Sequence, residues 1–222
     1  MTAVERLGGA FSTAVVSVVL VIGLGLVLAL ALPVVSAVIV AVVAAVVFAY
    51  ALLAGAVGAY DLTKPLGWLC LVLDCTWSLT NTVFGAVIGG LVYLIFGNPS
   101  TTASKGQNWV SYAPRSSTGF GNDVLQTLGP VNLGGAGQHE RMHLLQARIF
   151  GPLYLPLFAV FYIVTSLIQI LFTLILGLAL KAAHVRASAC LRPPAESAVS
   201  GFFGWIYYAT PFEVWAYASG NP

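Results

Sequence analysis

Charge is what this chain has least of. Only 7% of its 222 residues are Asp, Glu, Lys or Arg, against about a quarter in soluble globular domains. Between Leu7 and Tyr60 there is none of the four. So sparse a charge excludes intrinsic disorder, which needs a polar, charge-rich composition. Nine basic against seven acidic residues, a net charge of +2, exclude a basic nucleic-acid binder. Cysteine is scarce too: Cys70, Cys75 and Cys190 are an odd set and imply no disulfide framework. Cys70 and Cys75, without zinc-finger spacing or a nearby His, read as packing residues.

What replaces charge is aliphatic bulk: 59% of the chain is apolar. About 20 such residues cross the hydrocarbon of a bilayer. Phe11–Leu32 and Val34–Tyr60 each suffice, and Pro33 between them marks a tight hairpin because proline breaks helices. The first run is much longer than the apolar stretch of a signal peptide, so it reads as a retained span. Leu66–Leu73 is expected along the interface with Trp68 as anchor. Thr76–Phe96 and Leu153–Leu180 supply a third and a fourth span, and Ala195–Pro211 a marginal fifth crossing or a re-entrant hairpin. Small residues every four positions, Ala41, Ala45 and Ala49, then Gly85 and Gly89, suit close helix packing in lipid.

From Gly97 to Gln138 the composition turns to Gly, Ser, Thr and Asn, with only Lys105, Arg115 and Asp123 charged. Such a loop cannot lie in lipid; Gln107–Ala113 and Val124–Leu133 are candidate short strands within it. The fold class expected is all-α integral membrane: four or five transmembrane helices, a long polar loop and a short HExxH helix at the membrane edge. Residues 1–96 would form a three-span bundle and 97–138 an extramembrane loop. Residues 139–222 would hold the HExxH helix, the fourth span and the C-terminal hairpin or fifth span. The basic residues divide almost evenly between the two sides, so charge decides sidedness poorly; a cytoplasmic N-terminus puts the HExxH helix on the outer face.

The chemistry sits in Gln138-His139-Glu140-Arg141-Met142-His143. Residues four apart share a helix face, so His139 and His143 can reach one Zn²⁺. Glu140, about 100° round the helix, can take a proton from a nearby water and return it to a leaving group. With three histidines in the chain, chance would give this pattern on the order of once in a thousand such sequences. Gln146 and Phe150 continue the stripe, and Gln146 suits orienting a ligand or binding substrate. Arg148 suits a substrate carboxylate or a lipid phosphate, and Arg141 a solvated or headgroup-facing position. Asp74 and Asn81, in or near a span, are either bonded between helices or functional. His184, beside Lys181 and Arg186, reads as a solvated loop residue.

Residues 139–143 resemble the zincin metallopeptidase motif. HExxHxxQ followed by Ala-Arg-Ile-Phe-Gly-Pro-Leu-Tyr (147–154) is similar to poorly characterised bacterial integral-membrane proteins with a zincin-like site. Thr76-Trp77-Ser78-Leu79-Thr80-Asn81-Thr82 is similar to the same proteins, and the likeness runs from about Asp74 to Glu213. It implies a zinc peptidase of a bacterial inner membrane, acting on a peptide or membrane-protein substrate, with a downstream Glu as third ligand. Glu213, in Pro211-Phe212-Glu213-Val214-Trp215-Ala216, matches that position best, with Asp123, Asp74, Glu196 or no protein ligand at all as alternatives. A different class stays open: a non-catalytic subunit of a membrane complex, suited by the Gly and Ala content and the scant extramembrane material.

Overall fold

In a computed structural model, the described residues are 3–29, 33–115, 126–134, 137–182 and 198–219. Asp123, His184, Arg186, Cys190, Arg192 and Glu196 lie outside them. The chain divides into two units, Met1–Pro152 and Leu153–Asn221. Four helical stretches are long and apolar enough to cross a membrane: Arg6–Val27, Ala37–Ala56, Leu79–Phe96 and Gln138–Phe172.

In the first unit, helices α1 (Ala3–Ala29) and α2 (Pro33–Ala56) pack along each other. Proline opens α2, where its missing N–H costs nothing. The buried face of α2 runs through Val47, Tyr50, Ala51 and Ala54, whereas Ala41, Ala45 and Ala49 are exposed. The alanine row is therefore not the seam with α1. Bulkier residues on the next face bury more apolar area. Helix α3 (Pro65–Cys75) covers the expected interfacial segment and buries Cys70 and Cys75 as free thiols.

The third apolar stretch is α4 (Leu79–Phe84), a π-helical turn (Gly85–Gly89) and α5 (Gly90–Phe96) in succession. A Cβ on Gly85 would lie 2.1 Å from the Leu128 carbonyl oxygen, so only glycine permits this approach. The small residues of this span receive a strand rather than another helix.

That strand overturns the all-α expectation. Strands β1 (Gly97–Pro99), β2 (Val110–Pro114), β3 (Gln126–Leu128) and β4 (Val131–Leu133), with one helical turn α6 (Thr101–Ser104), form a sheet of order β1-β2-β4-β3. β2 and β4 run parallel, with Val110 opposite Val131 and Tyr112 opposite Leu133; the outer pairs are antiparallel. Buried backbone groups need partners, and the polar segment finds them in itself. Its valines, tyrosine and leucine face one core with Val47, Tyr50, Leu71 and Tyr93. Helix α7 (Gln138–Phe150) completes the unit.

The second unit holds α8 (Tyr154–Ala182), α9 (Ala198–Ala209) and α10 (Pro211–Ser219). At 12 residues, α9 is about 18 Å long, short of a crossing, and is not among the four long apolar stretches. Phe212 buries its ring among Tyr154, Phe158 and Phe161, with centroids 5.1, 6.3 and 5.1 Å away.

Candidate metal centre

Helix α7 carries the HExxH residues, and its ends complement the helix dipole, with Glu140 in the first turn and Arg148 in the last. It buries His139, Glu140, His143, Leu144, Gln146 and Ala147 and exposes Leu145 and Ile149. The two imidazoles meet almost perpendicular, at 85°, with Nε2 of one 3.0 Å from Nε2 of the other. Gln146 Oε1 lies 3.0 Å from His143 Nδ1. That oxygen only accepts, so Nδ1 carries the proton and His143 Nε2 presents its lone pair towards His139. Such a neutral pair is settled either by a proton on His139 Nε2 or by one cation between the two rings. Two imidazoles bound to one zinc at about 2.0–2.1 Å with tetrahedral angles hold their nitrogens about 3.3 Å apart. The observed spacing is within a few tenths of an ångström of that value.

Glu140 is 4% exposed, and its Oε2 has no hydrogen-bond partner among the described residues. A buried carboxylate oxygen without a donor is costly.

In the second unit, Glu213 opens α10 and is buried, with the Tyr162 hydroxyl donating to its Oε1 at 3.3 Å. His139 and His143 in the first unit and Glu213 in the second make up a candidate set of buried ligating side chains. Two imidazoles and a carboxylate suit zinc and several other divalent transition metals. Asp74 does not belong to this group. Its carboxylate takes two hydrogen bonds from Arg148, at 2.9 and 2.6 Å, and one from the Tyr60 hydroxyl at 2.6 Å. Burial, then the Asp74 charge, pushes the Tyr60 phenol well above its usual range, which keeps it a donor.

Arg148 is engaged within the fold. Its side chain is 10% exposed, paired with Asp74 and bonded to the Asn108 carbonyl at 2.6 Å. Arg141 donates to Gln107 Oε1. Asn81 bonds between helices, donating to the carbonyls of Ala147 and Gly151.

The Thr76–Thr82 segment has a role that sequence reasoning left unassigned. Trp77 Nε1 donates to the Ile149 carbonyl at 3.1 Å and Ser78 Oγ to the Ala147 carbonyl at 3.0 Å, beside the two bonds from Asn81. The last carbonyls of a helix have no partner within it, and here three side chains of a neighbouring segment supply them. Gly151 ends α7 at φ +54°, and a Cβ there would strike the Trp77 ring at 2.4 Å. Three polar donors within five residues of an apolar segment were the available signal.

The chain matches no family model, no curated protein and no solved structure.

Proposed function

We propose that the chain is an integral membrane protein and a zinc-dependent peptidase. The observation that carries this reading is the pair of imidazoles converging at 3.0 Å, with a buried carboxylate oxygen lacking a donor beside them on the same helix. His139 and His143 hold the metal, with Glu213 as third ligand. Bound zinc supplies Lewis acidity, polarising the scissile carbonyl and easing deprotonation of water. Glu140 takes the proton of the attacking water and passes it to the leaving amine. Gln146 keeps the His143 ring in register through Nδ1. Strand β3 is the outermost strand of the sheet among the described residues and packs against α7, a position that suits an extended peptide added as a further strand. Three protein ligands leave one position for water or substrate, as catalytic zinc requires.

Zinc analysis and a peptide-cleavage assay on protein purified in detergent test this. Wild type should bind one zinc and cleave. Glu140→Gln should keep the zinc and lose turnover, and undiminished turnover would refute the assignment. A closed shell of four protein ligands would mark a structural site instead.

A further inference from the structure

Near the start of α1 and the end of α2 the first unit leaves a cavity of about 320 Å³, a volume in the range of small-ligand sites. A Cβ on Gly55 would lie 2.3 Å from Ala10 Cα, so the two helices meet there backbone to backbone. The segment after α6 joins the same end of α2, with the Gly106 N–H donating to the Gly58 carbonyl at 2.9 Å. Gly9, Gly55, Gly58 and Gly106 all line the space. A Cβ on Gly106 would meet nothing within 4 Å. Gly9 and Gly55 stand within one turn of the ends of the apolar stretches Arg6–Val27 and Ala37–Ala56. With those stretches crossing a bilayer, the cavity opens at the level of the lipid headgroups.

Two opposite charges line this one cavity, Asp61 and Lys105. Lys105 is exposed, and its ammonium makes no hydrogen bond or ion pair among the described residues. Asp61 stays an anion: the Lys64 ammonium at 2.8 Å and the Thr63 hydroxyl at 2.6 Å hold its carboxyl down at about 2. With the Thr63 N–H at 3.2 Å, three of about four acceptor positions on that carboxylate are used. Ser12 and Thr13 also line the cavity and donate to the Gly9 carbonyl, at 3.2 and 2.8 Å, which leaves their oxygens as acceptors. Helix α2 ends here with no basic residue in its last turn, and a helix C-terminus favours a cation. Acceptors thus gather around one anion, and one ammonium beside them has no partner.

We propose that this cavity is a lipid site for the headgroup of an aminophospholipid, its primary ammonium held by Asp61, Ser12 and Thr13 and its phosphate by Lys105. The proposal rests on the integral-membrane reading for its bilayer and on no part of the peptidase reading. A primary ammonium brings three N–H donors to those acceptors. A choline headgroup brings none and is recognised by aromatic cages; Tyr60 is the one aromatic described in this lining, and its hydroxyl is committed to Asp74. Lysine binds phosphate as a point charge, and basic pockets beside membrane helices are a known means of holding headgroups. Leu7 and Phe11 flank Gly9 on α1 and are largely exposed, offering apolar surface to the acyl chains.

Native mass spectrometry of the full chain in detergent tests it, with dioleoyl phosphatidylethanolamine, phosphatidylcholine and phosphatidylglycerol offered in equal amounts. Wild type should retain one phosphatidylethanolamine, preferred over either competitor by about tenfold, the effect of one hydrogen bond to a charged group. Asp61→Asn, which keeps an acceptor for Thr63, and Lys105→Met should each abolish that preference with little change in melting temperature. Equal retention of phosphatidylcholine, or a preference for phosphatidylglycerol, would overturn the ammonium site. An undiminished preference in both variants would place the lipid elsewhere and overturn the assignment. Displacement of the lipid by free O-phosphoethanolamine would give the cavity to the soluble headgroup instead. Release of the protein in an alkaline carbonate wash would remove the bilayer itself, a failure distinct from lost headgroup preference in a protein that stays in the membrane.

Discussion

Gln146 shows how much one uncharged side chain can decide. By accepting from His143 Nδ1 it fixes which nitrogen of that ring keeps a lone pair, and it is fully buried, so water cannot replace it. Outer partners of metal-bound histidines typically govern about 10- to 100-fold in affinity. Gln146→Ala should therefore weaken zinc binding by about that factor, measured by competition with a chromogenic chelator, while Glu140→Gln shifts it far less. Equal affinities in wild type and Gln146→Ala would show that the ring needs no such support. Gln146 was legible in the sequence because its spacing from His139 and His143 follows helix geometry. Arg148 was not. Spacing tells which face of a helix a residue occupies, while its partner Asp74 lies 74 positions away, a separation no periodicity encodes.

Among elements, α7 is held by polar clasps beside its buried Leu144 and Ala147. Arg148–Asp74 ties it to α3, and Trp77, Ser78 and Asn81 take up its final carbonyls. Removing one member of a buried ion pair strands the other, which costs about 3–5 kcal/mol. Asp74→Ala and Arg148→Ala should each lose stability on that scale in denaturant titrations in detergent. The Asp74→Ala/Arg148→Ala double variant should lose less than the sum of the two, because neither charge is left behind; strict additivity would mean the pair contributes no coupling. The long apolar helices were read from a local signal, closely for α2 and α8, while α1 begins eight residues before Phe11. The sheet was read in part: Gln107–Ala113 anticipates β2, and Val124–Leu133 holds two strands and their turn. The parallel pairing of β2 with β4 joins segments across an intervening stretch, so no local pattern could reveal it.

At the scale of the molecule, large apolar side chains face outward along every long helix. Leu7, Phe11, Val19, Leu26, Val38, Leu91, Ile163 and Leu171 are all more than half exposed, far beyond what a water-soluble surface tolerates. The expected outcome is retention in the membrane pellet through an alkaline carbonate wash and release only by detergent; recovery in the carbonate supernatant would contradict the proposed crossings. The clasps on α7 also have a consequence for biosynthesis. Asp74, Trp77, Ser78 and Asn81 leave the ribosome some sixty residues before the helix they grip. A nascent chain halted short of Gln138 would leave these polar groups without the carbonyls and the guanidinium they bind, so this part of the fold closes only after α7 has been made.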